Sequence, residues 1–346
     1  MKRIFAAFSL LLILTGCAAK PSSYTADFFA MDTFMSITAY GADENMAQQA
    51  AFACEKQVNA LEPALSRTRE DSDLYRLNHA DGAVCTVSDE TYAAIEAAVQ
   101  YAELTGGAFD PTMAVLTDLW GIGTEQAHVP AQSEIDAALA KVGYENIVLL
   151  GDNQVQLKNG AQIDLGGIGK GFATDAVADV LAGQSEGTVS GALVQLGGNI
   201  GAFGENPARE GGGWSIGVAD PDDNADFIAT VEVRDQSVVT SGDYERFFEQ
   251  DGKRYHHIFD PATGYPADTG LRSVTVIDEN STRADALTTA LFVMGLDKGM
   301  AFCAENGIAA VFVTSDKQVY TTDAVASACA YTFLGEDKGY SDAQQA

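Results

Sequence analysis

The chain has 346 residues, 47% of them hydrophobic, enough apolar side chain for a sizeable core in one large domain or two, which excludes wholesale disorder. A formal net charge of −29 repels both a phosphate backbone and an anionic lipid surface, so nucleic-acid binding and electrostatic adsorption to membranes are excluded. Besides Cys17, the cysteines at 54, 85, 303 and 329 are widely spaced without C-x-x-C, which argues against a zinc site; Cys54 and Cys303 fall in apolar helical contexts and read as buried free thiols.

Residues 1–17 read as an export signal: Lys2 and Arg3, an apolar run from Ile4 to Leu14, then Leu14-Thr15-Gly16-Cys17. Small residues before a cysteine at this point resemble the bacterial lipobox, in which Cys17 becomes a lipidated N-terminus; an ordinary signal peptide is the alternative. The apolar run is too short to span a bilayer. The later apolar stretch Ala286–Leu296 is interrupted by Thr288 and Thr289. The mature chain is therefore expected outside the cytoplasm, tethered to the cell membrane by its lipid.

After a linker over 18–23, Phe28–Tyr40 reads as one strand with Met31-Asp32-Thr33 inside it. Glu44–Leu61 reads as a helix with Ala50, Cys54, Val58 and Leu61 on one face. A second helix starts at Ser88 and stops before Gly106-Gly107, and Asp110-Pro111 then favours an extended or turn conformation. Ser133 with Asp136 three residues on caps a third helix that Gly143 ends. Three short strands follow, 146–150, 154–158 and 161–165, joined by Asp152-Asn153 and Asn159-Gly160.

This meander delivers the stretch IDLGGIGKGFATD. Four glycines (Gly166, Gly167, Gly169, Gly171) surround Lys170, and Ala173, Val177, Val180 and Leu181 continue at helical spacing. A glycine turn emptying into a helix N-terminus favours an anion, and Lys170 adds a full charge. Neither the Walker loop nor G-x-G-x-x-G is completed, and a plain packing turn between strand and helix remains the alternative. Strands follow at 192–196, 214–218, 228–233 and 238–240. A hairpin about Asp251-Gly252 leads to 254–259, and a strand at 272–277, helices at 282–294 and 298–305 and a strand at 308–314 complete the body. Antiparallel strands interrupted by helices mean an α+β fold in one catalytic unit over 24–335, with a polar tail over 336–346 expected to fray.

Two further constellations carry chemistry. Asp285, Thr288 and Thr289 share one helix face and offer only oxygen ligands, which suits a hard cation such as Mg²⁺; Thr282 with Asp285 is equally a T-x-x-D capping box. In YHHIFDPATGYP, His256 and His257 alternate to opposite faces of a strand end, so at most one of them enters a given site, and a surface pair is the alternative.

In chain order, MDTFMSITAYG, LSRTREDSDLYRLN, GAFDPTMAVLTDLWGIG, IDLGGIGKGFATD, LVQLGGNIGAFG, TSGDYERFF, HHIFDPATGYP and ADALTTALFVMG resemble the ApbE-type flavin transferases (FAD:protein FMN transferases). The resemblance covers nearly the whole mature chain. It implies a T-fold-like domain of antiparallel sheets with packed helices, FAD bound in a cleft, Mg²⁺ at the pyrophosphate, and transfer of FMN to a threonine of an exported acceptor protein of a membrane redox complex, with AMP released. Carried over by residue, Met31, Ala108, Phe109, Asp110, Asp164, Lys170 and His257 line the flavin nucleotide. Asp285 and Thr289, with Thr288 and the Gly167 carbonyl, hold the metal, and His257, Lys170 and Asp285 serve catalysis. The chain departs from the pattern at Ser66-Arg67-Thr68, where many members carry an aromatic that stacks on the isoalloxazine, a contact worth roughly 0.5–1.5 kcal/mol. Hydrolysis of FAD to FMN and AMP, or flavin binding without turnover, are the alternatives. Cys17→Ser is expected to move the mature domain from the membrane pellet to the soluble fraction with activity on soluble substrates intact, as fractionation and assay will show.

Overall fold

The computed structural model describes residues 21–184 and 188–344; Cys17, the rest of the expected signal and part of the linker lie outside the described residues. In chain order the elements are β1 (Ser22–Ala30), β2 (Thr33–Gly41), α1 (Glu44–Leu65), α2 (Asp73–Asn78), β3 (Cys85–Thr86), α3 (Asp89–Leu104), α4 (Ala114–Trp120), α5 (Gln132–Leu139), β4 (Ile147–Gly151), β5 (Gln154–Leu157) and α6 (Gly169–Ala182). The second half runs β6 (Val189–Leu196), β7 (Asn199–Gly204), β8 (Trp214–Asp220), β9 (Asp223–Val233), β10 (Gln236–Gly242), β11 (Phe247–Gln250), β12 (Lys253–His256) and β13 (Leu271–Asp278). It closes with α7 (Ser281–Asn306), β14 (Ala309–Thr314), β15 (Gln318–Thr321), α8 (Val325–Ala328), β16 (Ala330–Phe333) and β17 (Ser341–Asp342).

Nine strands form the central sheet in the order β1-β2-β6-β7-β10-β13-β14-β15-β17, antiparallel except for β15–β17. Alternation along each strand divides its side chains between two cores. On one face Met35, Ile37, Val194 and Leu196 pack under α1 and α6, and Val239, Val274 and Phe312 pack under α7. On the other, Ala202, Val238, Val311 and Val313 meet Trp214, Ile216 and Val231 of the three-stranded sheet β16-β9-β8. The expected α+β architecture of antiparallel sheets and packed helices is therefore what forms.

Several elements differ from expectation. The strand over Phe28–Tyr40 is a hairpin, because Met31 and Asp32 both take positive φ, 48° and 58°, making a two-residue type I′ turn without a glycine. No strand forms over 161–165: the Asn78 carboxamide takes the Ile163 main chain at both atoms, Nδ2 to O at 2.8 Å and Oδ1 from N at 2.7 Å, so β3 joins β4 and β5 instead. The third helix is capped at Ala131, whose N–H donates to Glu134 Oε2 at 2.9 Å, not at Ser133. The two helices expected at 282–294 and 298–305 lie in α7 on either side of a break at Gly295, where φ is 76° and ψ 176°. By hydropathy and length α7 would suit a membrane, yet half of its most apolar window is buried inside the fold, as for a core helix. Cys54 and Cys303 are buried free thiols, and burial pushes each up to about 12.

The tail expected to fray is packed as far as residue 344. β17 pairs with β15, and Tyr340, 4% exposed, donates its hydroxyl to Asp220 Oδ1 at 2.6 Å while Lys317 Nζ sits 4.8 Å above its ring. One aromatic with a charged acceptor outweighs the polar composition around it. Tyr340→Phe leaves buried Asp220 without this donor, so urea unfolding should show a loss of about 1.5–3 kcal/mol.

Candidate functional site

The site grows from the crossing of α6 and α7. A Cβ on Gly171 would lie 2.3 Å from Ser281 O and 2.8 Å from Asp285 Cβ, so only glycine lets the first turns of the two helices meet. At that approach the Gly171 N–H donates to Asp285 Oδ2 at 2.8 Å. One turn on, the Asp175 carboxylate accepts from Ser281 N and Thr282 N, both at 2.8 Å, and from the Thr282 hydroxyl at 2.5 Å. Asn280 is the N-cap of α7, accepting from Arg283 N at 2.7 Å. The T-x-x-D capping box is not formed; Asp285 is turned across to α6, 3% exposed.

Around this crossing stand the expected phosphate and metal groups. Lys170 Nζ, in the first turn of α6, donates to Gly166 O at 3.2 Å and lies 3.9 Å from Asp285 Oδ1. Gly167 runs between Phe109 and Thr289: a Cβ there would sit 3.2 Å from the Phe109 ring and 3.4 Å from Thr289 Oγ1. Thr289 Oγ1 thus lies beside the Gly167 main chain, one helical turn from Asp285 on α7, and oxygen donors of this kind suit a hard cation. Thr288 points elsewhere. Fully buried, its hydroxyl donates to Asp285 O and pairs with Ser241 Oγ, both at 2.8 Å. Among the described residues no cluster of three or more His, Cys, Asp or Glu side chains suits a metal.

The flavin-side residues divide in the same way. The Met31 N–H in the hairpin turn is held by Glu62 Oε1 at 3.1 Å, and Phe109 is buried against Gly167, with Ala108 beside it packed on the main core. Asp110 faces inward: Oδ1 accepts from Thr112 N at 2.7 Å and Thr112 Oγ1 at 2.5 Å, and Oδ2 from Tyr144 N at 2.9 Å. Its carboxylate shapes the loop, and burial raises its pKa. Asp164 Oδ1 accepts from Gly166 N at 2.8 Å, while Oδ2 pairs with Arg67 Nε at 3.1 Å; Arg67 reaches Asp118 at 2.6 Å with Nη1. Arg67 was not expected here. The departure at Ser66-Arg67-Thr68 flagged the place, but only the fold brings positions 67, 118 and 164 together.

The two histidines separate as alternation requires. His256 is buried, Nε2 at 3.0 Å from Ala267 O and the ring edge-on to Phe292, a core role. His257 is half-buried, with Nδ1 3.3 Å from Arg246 O; a carbonyl only accepts, so Nδ1 carries the proton and Nε2 is left as an acceptor. Enclosure by protein, then the Arg246 charge, holds its pKa down at about 3. Glu245 was also missed. Desolvation raises the pKa of its carboxyl, and Lys170 and Arg246 oppose the rise. A Cβ on Gly198 would lie 3.0 Å from Glu245 Oε1, so that glycine makes room for it. The segment TSGDYERFF drew notice as a block, without a reason to single out Glu245.

The ApbE family model matches residues 31–312, and a prokaryotic membrane lipoprotein lipid attachment site matches residues 1–18. A FAD:protein FMN transferase of Treponema pallidum is 38% identical over 324 residues, spanning 88% of either chain. One from Vibrio cholerae serotype O1 is 34% identical over 90% of this chain and 94% of its own. The crystal structure of the ApbE protein from Thermotoga maritima superposes with a TM-score of 0.81 at 37% identity, covering 89% of this chain and 99% of that one.

Because the folded pKa of His257 lies below its ordinary value of 6.5, the unfolded chain binds a proton that the folded chain refuses between those values. Its contribution to stability is therefore complete above about pH 6.5 and lost as pH falls towards 3. His257→Gln should flatten the pH dependence of urea unfolding in that window, and leave it unchanged above it.

Proposed function

Because the chain belongs to the ApbE family, we propose that it transfers FMN from FAD to a threonine hydroxyl of an exported acceptor protein and releases AMP, acting from the outer face of the membrane to which Cys17 tethers it. The observation that carries this reading is the α6–α7 crossing, where Gly171, Lys170 and Asp285 converge at a glycine turn. In the reaction the acceptor oxygen bonds to the phosphorus on the FMN side. The bond from that phosphorus to the bridging oxygen breaks, and AMP leaves with the electron pair.

Each residue has a role that follows from its placement. At the N-terminus of α6 the positive end of the helix dipole and the point charge of Lys170 together favour the pyrophosphate. Mg²⁺, held by Asp285, Thr289 and the Gly167 carbonyl, would neutralise charge developing on the pyrophosphate. His257 enters neutral with Nε2 free to accept the hydroxyl proton, and the substrate's negative charge raises its basicity above the low value set by burial. Arg67 fixes Asp164 at the flavin end. Water competes with the acceptor because exposed Thr68 puts no ring over the flavin, which favours hydrolysis of FAD as the second reading.

Mass spectrometry of an exported acceptor incubated with the enzyme, FAD and Mg²⁺ should show FMN on threonine in amounts matching the AMP released; AMP with free FMN alone would establish the hydrolase instead. Asp285→Asn can still accept from Gly171 N and should unfold within about 1 kcal/mol of the wild type, yet lose turnover roughly 100-fold or more.

A further inference from the structure

The β1–β2 hairpin carries features that the cleft chemistry does not use. β1 is an outermost strand of the nine-stranded sheet, and its pairing with β2 runs without a bulge from Ser22↔Gly41 to Ala30↔Thr33. Because the turn has two residues, Ala30 and Thr33 form the hydrogen-bonded closing pair. Alternation from that pair leaves the N–H and C=O groups of Ser23, Thr25, Asp27 and Phe29 pointing away from β2. Natural edges of this length are usually blunted by charged side chains, proline or a bulge; SSYTADFFA has one exposed charge, Asp27, and neither a proline nor a bulge. The opposite edge, β17, has only two residues.

At the tip, Phe29 and Phe34 face each other across the hairpin and are 68% and 64% exposed. They lie on the sheet face that β8 and β9 cover elsewhere: Trp214 packs 5.9 Å from Tyr40 at the far end of β2, but none of the described residues covers the tip. That tip adjoins the reactive centre, since a Cβ on Gly197 would lie 3.2 Å from Thr33 Oγ1 and 3.7 Å from Lys170 Cδ.

We propose that the free edge of β1 is the docking strand for the acceptor: an extended segment of the acceptor protein adds to the sheet beside β1, with Phe29 and Phe34 gripping it where it turns into the cleft. This rests on the transfer reading above. Unpaired main-chain donors and acceptors are complemented by another extended backbone and not by lipid tails, and the net charge of −29 opposes an anionic bilayer. Four alternate residues span about 20 Å, enough to hold a segment in register and deliver its hydroxyl residue past the Met31 turn. Sequence tolerance follows as well, because main-chain bonds supply the affinity and the aromatic pair asks only for an apolar side chain.

The test uses Asp27→Pro, which removes an outward N–H and leaves the β2 ladder intact, and the double variant Phe29→Ser with Phe34→Ser. The probe is an exported protein that the wild type flavinylates. Both variants should raise the KM for that protein at least tenfold, with kcat at saturation and the Kd for FAD within twofold of wild type. Should Asp27→Pro fail to fold, the double variant still decides. Transfer with unchanged KM overturns the docking strand alone. Equal damage to FAD affinity overturns it too, by making the hairpin part of the flavin site. A wild-type dimer in sedimentation velocity that Asp27→Pro converts to monomer shows that a second copy occupies the edge, and also overturns it. If no offered protein acquires covalent flavin, the transfer reading fails, and the docking strand with it.

Discussion

Everything in the cleft depends on the 2.8 Å bond from Gly171 N to Asp285 Oδ2. It exists because Gly171 has no Cβ: any side chain there would collide with Ser281 O and drive the first turns of α6 and α7 apart. The same approach seats Asp175 beneath the N-terminus of α7, where it satisfies two main-chain N–H groups and a hydroxyl. Asn280 caps the end from the other side. A buried carboxylate costs several kcal/mol unless it is hydrogen-bonded or paired. Asp285 meets that requirement with one oxygen on α6, and its other oxygen lies 3.9 Å from Lys170 Nζ, an ion pair.

The surrounding groups are ranked by how far their polar atoms are already committed. Asp110 and Thr288 carry the residue types expected of ligands, yet each spends its oxygens within the protein, on Thr112 and Tyr144 in one case and on Ser241 and a main-chain carbonyl in the other. Asp164 is likewise engaged at both oxygens, by Gly166 N and Arg67 Nε. Arg67 bridges Asp164 to Asp118, so an ion-pair network ties these separate segments together.

The two faces of the central sheet serve different ends. One is packed by α1, α6 and α7 and carries the α6–α7 crossing. The other is covered by β8, β9 and β16 over its middle and bare at the β1–β2 tip, where the edge strand and the cleft converge. The strongly acidic composition keeps this open edge soluble by mutual repulsion between copies without blunting its capacity to pair.

The sequence by itself determined the α+β class, most of the helices and strands, the free buried thiols and the family, because periodicity, turn residues and ordered motifs are local and survive without a partner. It also located the glycine turn, Lys170 and Asp285. It did not determine that Phe28–Tyr40 bends, since Met31 and Asp32 give no glycine signal, nor that 161–165 stays out of the sheet, since the competing Asn78 stands 85 residues away. It left Asp285 suspended between cap and ligand. That question turns on whether Gly171 or Thr282 lies nearer the carboxylate, and 114 residues separate Asp285 from Gly171. Arg67 and Glu245 were illegible for the same reason: a charged side chain acquires a role from what the fold sets opposite it, and only tertiary packing placed Asp164, Asp118 and Lys170 there.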